Sequence, residues 1–276
     1  AKVDPSVLRQ VGAVREGLST RGALVGLGFP QVDLCMQLQV GFVSGCVRIQ
    51  AVPGERRQVN ATIKHHGTRR TVTRQLPLPQ HVLCLDANDG SIRWDEAMQG
   101  SDAEQDVTRR VADHGFATGT PVADEAGVYA YFGVSGLVAY SHDGEQRWTA
   151  KTGDKTAGFG SAASPILFQN LVIINASIES ACVLAFDRTT GKEVWRIEGI
   201  DKSWTTPIVA KSGDGRDELI ISHKMHVKGF DPASGKPLWN CEGIQDYVVP
   251  CVVVNDGIAY VIGGRKNQSM AIRLGG

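Results

Sequence analysis

The chain has 276 residues and a formal net charge of zero, but this neutrality is a cancellation between two unlike parts. Residues 1–80 hold 11 Lys and Arg against 4 Asp and Glu, and they contain no Trp or Tyr. Residues 81–276 hold 18 Lys and Arg against 25 Asp and Glu. A nucleic-acid-binding arm would interleave its basic residues with aromatic ones or carry a recognisable motif, so the composition does not favour one.

Residues 1–80 are expected to form a basic leader of unclear structure. Two interpretations stay open: a solvated, poorly ordered segment, or a damaged or out-of-frame version of the missing first blades. Two apolar stretches, at 24–29 and 38–47, are interrupted by Gly, Gln or Ser and are too short to span a bilayer. Neither has the layout of a signal peptide, and no membrane span is predicted.

From about residue 81 onward, one short phrase occurs four times and closes each time on a tryptophan. The copies occupy 84–94, 139–148, 185–195 and 229–239, so successive tryptophans are 54, 47 and 44 residues apart. A period of about 40–50 residues points to a propeller or a solenoid rather than to a single catalytic domain.

Each phrase has the pattern of a β-hairpin. In the third copy an apolar run leads to Asp187, and Gly191 precedes the alternating residues that end at Trp195. Asp can bond the backbone two residues on, and Gly tolerates the positive φ of a tight turn. The tryptophan can then turn its ring into the gap between neighbouring sheets, where a large apolar side chain contributes much buried area.

A proline marks the start of a further strand upstream of each phrase. Pro121, Pro165, Pro207 and Pro250 are 44, 42 and 43 residues apart, and Pro is tolerated at the first position of a strand. The repeating unit is therefore four short antiparallel strands, which is one propeller blade. The sequence predicts an all-β, incomplete propeller. It comprises the last two strands of one blade (81–98), three full blades (119–152, 163–199 and 205–244) and a fifth, truncated unit.

Residues 81–276 resemble the quinoprotein-type, or PQQ-like, β-propeller repeats. Their signature, Ala-x-Asp-x-x-Thr-Gly-x-x-x-Trp, is called the tryptophan-docking motif, and 185–195 matches it at every specified position. The resemblance implies a propeller of seven or eight blades, more than this chain supplies, and a periplasmic or extracellular location. The structural docking residues predicted from it are Trp94, Trp148, Asp187, Gly191, Trp195, Asp231, Gly235 and Trp239.

No catalytic, cofactor-binding or metal-binding residue is predicted. Resembling enzymes that use the quinone often carry two adjacent cysteines over the cofactor, and the six cysteines here include neither an adjacent pair nor a CxxC spacing. Cys84 takes the small-residue position of its phrase and is expected to be a buried thiol. His223 and His226 are expected to point to opposite faces of one strand and so not to share an ion.

Trp204 is the one tryptophan outside the repeating phrase. It precedes Pro207, near the start of a blade, where loops gather. Two interpretations stay open for its side chain, namely packing in the core or contact with a ligand or partner.

Two functional classes follow from the resemblance. The favoured one is a non-catalytic propeller that binds a protein partner or other ligand, or scaffolds an assembly, without a cofactor. The alternative is a fragment of a quinone-dependent dehydrogenase of alcohols or sugars whose catalytic residues lie elsewhere. Fold analogy alone is a weak warrant for either class.

Overall fold

The computed structural model describes residues 42–43, 46–47, 58–65, 68–75, 79–86, 89, 91–106 and 116–275. All of them belong to one compact unit, 37–276. Between 42 and 75 only the backbone is described. The predicted leader therefore lies largely outside the described residues, and a domain boundary near residue 80 stays a prediction.

The described residues form short β-strands. In chain order they are β1 Phe42–Val43, β2 Cys46–Val47, β3 Gln58–His65, β4 Thr68–Gln75, β5 Gln80–Asp86, β6 Ile92–Met98, β7 Val122–Ala123, β8 Val128–Tyr131, β9 Leu137–Tyr140, β10 Gln146–Ala150, β11 Ile166–Phe168, β12 Leu171–Ala176, β13 Cys182–Asp187, β14 Glu193–Glu198, β15 Ile208–Lys211, β16 Asp217–His223, β17 His226–Phe230, β18 Pro237–Glu242, β19 Val253–Asn255, β20 Ile258–Gly263 and β21 Gln268–Arg273. In this described part of the chain, two short 3-10 helices, Asp102–Asp106 and Gly133–Ser135, also lie between strands.

Neighbouring strands pair antiparallel in a series of small sheets. Sheet 2 is β7 to β10, sheet 3 is β11 to β14 and sheet 4 is β15 to β18, each with four strands in sequence order. Sheet 5 contains β19, β20 and β21. The prediction of three consecutive four-stranded units between 119 and 244 is confirmed.

Sheet 1 differs from the sequence-based expectation of two strands. Its order is β1-β2-β5-β6, because Cys46 and Val47 pair with Asp86 and Leu85 of β5. Strands of two residues are too short to show an alternating pattern, so the sequence gives no sign of them. The separate hairpin β3-β4 is likewise absent from the sequence-based prediction, although Val59, Ala61 and Ile63 do alternate with polar residues.

Apolar clusters fill the space between consecutive sheets. One lies between sheets 2 and 3 and contains Tyr131, Val172 and Leu184, and similar clusters join sheet 1 to 2, 3 to 4 and 4 to 5. All six residues of β12 are buried, since both faces of sheet 3 are covered. Sheets stacked face to face in chain order are the blades of an incomplete β-propeller, as predicted.

The residues before the prolines link successive sheets. The backbone N–H of Thr120 donates to Ser164 Oγ at 2.8 Å, and that of Ser164 donates to Thr206 Oγ1 at 2.9 Å. The backbone N–H of Thr206 in turn contacts Cys251 Sγ at 3.3 Å. The prolines recur every 42 to 44 residues, and the residues next to them therefore form a line of hydrogen bonds from sheet to sheet.

Candidate functional site

The tight turn of the docking phrase forms where the sequence places it. The Asp187 carboxylate accepts hydrogen bonds from the backbone N–H and the hydroxyl of Thr190, both at 2.8 Å, and these bonds lower the pKa of Asp187. Asp231 accepts from the N–H of Ser234 at 2.9 Å in the same way. Gly191 and Gly235 have φ of 69° and 70°, a left-handed conformation that favours glycine.

Three of the phrase tryptophans lie against the glycine of the following phrase. A Cβ atom built on Gly191 would lie 2.6 Å from the ring of Trp148, and one built on Gly235 would lie 2.9 Å from the ring of Trp195. Trp94 lies against Gly144 in the same manner. This contact, from one sheet to the turn of the next, is the geometry on which the predicted docking role rests.

Trp239 is placed differently from the other three. Its Nε1–H donates to Glu218 Oε2 at 2.7 Å, and its ring lies against Gly229, which is opposite it in the register of β17 and β18. Trp94 and Trp148 instead donate to backbone carbonyls of the following phrase. The fourth phrase therefore shares the turn, and its tryptophan packs against the cluster between sheets 4 and 5 with its ring over Gly229 of its own sheet.

An apolar pocket opens where three connections between sheets meet. We call these connections loop A (151–165), loop B (199–207) and loop C (243–252). The pocket has a volume of about 260 Å³ and is lined by Phe159, Ala162, Trp204, Tyr247 and Val249. Tyr247 and Val249 are 40% and 48% exposed, so the pocket is open to solvent.

Trp204 holds the three loops together. Its indole Nε1–H donates to the carbonyl of Gly160 in loop A at 2.9 Å. Its backbone N–H donates to the carbonyl of Val248 in loop C at 3.0 Å. Edge-to-face contacts connect the rings, with centroids 6.3 Å apart for Phe159 and Trp204 and 6.5 Å apart for Phe159 and Tyr247. The structure has features of both interpretations of Trp204. The ring is part-buried, as core packing requires, yet it lines an open pocket that a ligand or partner can reach.

A buried polar network fixes loop B beneath the pocket. The Ser203 hydroxyl donates to the Ser222 carbonyl at 2.7 Å, and Asn175 Nδ2–H donates to the Thr205 carbonyl at 2.9 Å. Ser177 Oγ donates to the Ser203 carbonyl at 2.9 Å. Both neighbours of Trp204 are therefore anchored to sheets 3 and 4, which leaves its indole little freedom to move.

A cationic side chain lies at the rim of the pocket. The Arg265 guanidinium carbon is 3.8 Å from the centroid of the Tyr247 ring, a cation–π contact. The backbone N–H of Arg265 donates to Asp246 Oδ1 at 3.2 Å, which holds this turn against loop C. Tyr247 has φ of 48°, a conformation that is rare for a bulky residue and tends to occur at ligand sites.

The expectation that His223 and His226 point to opposite faces is wrong. β16 ends at His223 and β17 begins at His226, so the two residues are register partners across a tight turn. Their ring centroids are 5.4 Å apart. Burial lowers the pKa of His223 to about 4. Sequence separation misleads here because a turn, and not a strand, lies between the histidines.

Cys84 departs from its expected state. It is buried, as the small-residue position requires, but it is disulfide-bonded and not a free thiol. Cys182, Cys241 and Cys251 are free. In the part of the chain that the structure describes, no group of three or more His, Cys, Asp or Glu residues is placed to hold a metal ion.

Comparison with known proteins gives the family. Residues 66–274 match the family model described as outer membrane protein assembly factor BamB. The chain belongs to this family. No curated protein sequence matches the chain.

Solved structures with the same fold include BamB from Moraxella catarrhalis. It has 15% identity and a TM-score of 0.52, over 89% of this chain and 60% of that one. A europium-containing methanol dehydrogenase has 15% identity and a TM-score of 0.48, over 83% of this chain and 50% of that one. The quinohemoprotein alcohol dehydrogenase from Comamonas testosteroni has 14% identity and a TM-score of 0.45, over 82% and 51%. The chain thus spans about half to three fifths of each of these proteins.

The pocket residues do not fit the quinone that the PQQ-like repeats imply. Pyrroloquinoline quinone is a tricarboxylate, whereas the lining is apolar and one guanidinium lies at its rim. The volume of about 260 Å³ lies near the lower end of the roughly 300–1,000 Å³ of ligand pockets. The apolar lining is the feature that argues against this cofactor.

Proposed function

We propose that this chain is a non-catalytic propeller segment that binds a protein partner through the pocket between loops A, B and C. The observation that carries the proposal is the pocket itself. Its aromatic residues are kept in place by hydrogen bonds that join the three loops to one another and loop B to sheets 3 and 4. Aromatic side chains are enriched where proteins meet. The apolar side chains here are contiguous and come from three loops, whereas singly scattered exposed apolar residues are normal on a protein surface.

The family description suggests the setting of such a partner. It names an outer membrane protein assembly factor, so we propose that the chain works in the bacterial envelope, on its periplasmic or outer side, with a component of outer membrane protein assembly. Among the described residues no helix is both long and apolar enough to cross a membrane.

Site-specific photo-crosslinking tests the proposal. A benzophenone amino acid placed at Val249, which lines the pocket, should crosslink in cells to one envelope protein that mass spectrometry identifies as an assembly component. The matched control is the same probe at Val194, which is 52% exposed but lies on β14 outside the pocket; it should not yield that product.

Two results would contradict the proposal. Equal crosslinking from positions 249 and 194 would mean that the pocket does not select a partner. Stoichiometric retention of pyrroloquinoline quinone added with calcium, accompanied by dye-linked alcohol oxidation, would instead favour the quinone-dependent dehydrogenase. The fold likeness to such enzymes does not by itself support that alternative.

A further inference from the structure

The charge at the pocket rim indicates what kind of segment would bind. Arg265 is exposed, and among the described residues no carboxylate lies within ion-pair distance of its guanidinium. Lys266 is its exposed neighbour and contacts Gln245 Oε1, which is uncharged. The rim therefore carries two cationic side chains, Arg265 and Lys266, and one carboxylate, Asp246, which accepts the backbone N–H of Arg265. A carboxylate from a ligand would complement the guanidinium of Arg265.

The spacing between pocket and charge is short enough for an extended peptide to reach both. Phe159 and Arg265 both contact the Tyr247 ring, so the guanidinium is at most about 10 Å from the Phe159 ring. In an extended chain, residues i and i+2 point to the same side and are about 7 Å apart. An apolar side chain at i can thus occupy the pocket while an acidic side chain at i+2 reaches Arg265.

We propose that the pocket binds an extended acidic segment of the partner, with one aromatic or large aliphatic side chain in the pocket and a carboxylate two residues later paired with Arg265. This rests on the proposed function and specifies its ligand. The lining is apolar and aromatic, as an apolar side chain requires. The cation–π contact with Tyr247 pre-orients the guanidinium, which reduces the conformational entropy that Arg265 loses on binding.

Titration with short peptides tests this directly. The probe is acetyl-Gly-Ser-Phe-Gly-Glu-Ser-Gly-amide, followed by the indole N–H signal of Trp204, which a Trp204→Phe variant assigns. Because only one side chain of the peptide enters the pocket, we expect weak, millimolar binding. The peptide should shift the Trp204 signal, and replacing its Phe by Ser should abolish the shift. Replacing its Glu by Gln should weaken binding about 1.5- to 5-fold, as for an exposed ion pair.

A pair of arginine variants isolates the charge. Arg265→Gln should remove the preference for the Glu peptide over the Gln peptide. Arg273→Gln is the control, because Arg273 is also exposed on the β20-β21 hairpin but at the opposite end; it should keep the preference. Equal binding of both peptides to the unmodified chain would already refute the role of Arg265, without any variant.

Other outcomes refute the peptide as occupant. No shift of Trp204 at millimolar peptide overturns this inference, and a stronger response to sodium octanoate would assign the pocket to a fatty acid instead. A Val249 crosslink to an assembly component without any peptide response would leave the proposed function standing and reject only this ligand. A peptide response without a selective crosslink would reject the partner and keep the pocket chemistry.

Discussion

At the scale of single residues, the repeated glycines have two separate roles. Gly191 must adopt φ of 69°, and it must also leave room for the ring of Trp148. Gly199 offers a direct comparison, because its φ is 71° and an added Cβ would have no atom within 4 Å. The two positions thus share a left-handed backbone conformation and differ in the tryptophan contact.

We expect Gly191→Ala to destabilise the chain more than Gly199→Ala. Both substitutions carry the cost of a left-handed alanine, about 1–2 kcal/mol. Gly191→Ala should add about 1–3 kcal/mol, because the methyl group would overlap the Trp148 ring. Chemical denaturation of the two variants measures the difference, and equal losses would show that Trp148 does not depend on this close approach.

At the scale of secondary-structure elements, buried carboxyl groups join neighbouring sheets. Glu179, in the β12-β13 connection, accepts hydrogen bonds from Tyr131 Oη at 2.7 Å and from the Ser161 hydroxyl. Glu104 accepts from Gln80 Nε2 at 2.7 Å and from the Ser135 hydroxyl, and so bridges sheets 1 and 2. Burial raises the pKa of each carboxyl group to about 7.

The raised pKa values predict how stability depends on pH. A carboxyl group whose folded pKa is above its unfolded value holds its proton more tightly when folded, so its contribution is complete below about 4.5 and is lost as pH rises through 7. His223 acts oppositely, since its lowered pKa contributes stability above 6.5 that is lost toward pH 4. Between pH 6.5 and 8 the two carboxyl groups therefore contribute more than His223 to the change of stability with pH.

We expect the thermal midpoint to fall between pH 6.5 and pH 8, and to fall less in Glu179→Gln. Glutamine has a similar shape and does not ionise, so one of the two pH-dependent contributions is removed. The difference should be of the order of 1 kcal/mol or a few °C. Glu145→Gln, an exposed change, should keep the original slope; an unchanged slope in Glu179→Gln as measured by calorimetry would contradict the assignment.

At the scale of the whole molecule, stability depends on contacts between consecutive sheets. Trp195 is 9% exposed and packs in the cluster between sheets 3 and 4, with Leu171 and Leu219. Trp94 is only partly buried, against the cluster between sheets 1 and 2. In repeat proteins, interior units have two such interfaces and contribute accordingly.

We expect Trp195→Ala to lower the thermal midpoint much more than Trp94→Ala. Removing a buried tryptophan costs about 3–5 kcal/mol, out of the roughly 5–15 kcal/mol by which domains are stable. The partly exposed Trp94 leaves a smaller cavity. Differential scanning calorimetry compares the two; similar shifts would mean that sheet 1 is as tightly packed as the interior sheets.

Much of the fold could be predicted because its signals are local and repeated. Four copies of one phrase give the hairpins, and the proline spacing gives the strand that opens each sheet. The two short strands β1 and β2 could not be predicted, since two residues carry no periodicity. β1 pairs only with β2, and β2 pairs with β5 across a long stretch of chain.

The candidate site could be predicted only in part. Trp204 stands out in the sequence because it lies outside the repeating phrase. No pattern in the sequence distinguishes Phe159, Tyr247, Val249 or Arg265. These residues come from three loops and a distant turn, so only the stacking of consecutive sheets brings them together.

The sequence by itself determined the repeating four-stranded unit, because hairpin turns and strand alternation act between near neighbours. The tertiary structure alone decided the pocket, because its walls and its charge depend on contacts between residues tens of positions apart.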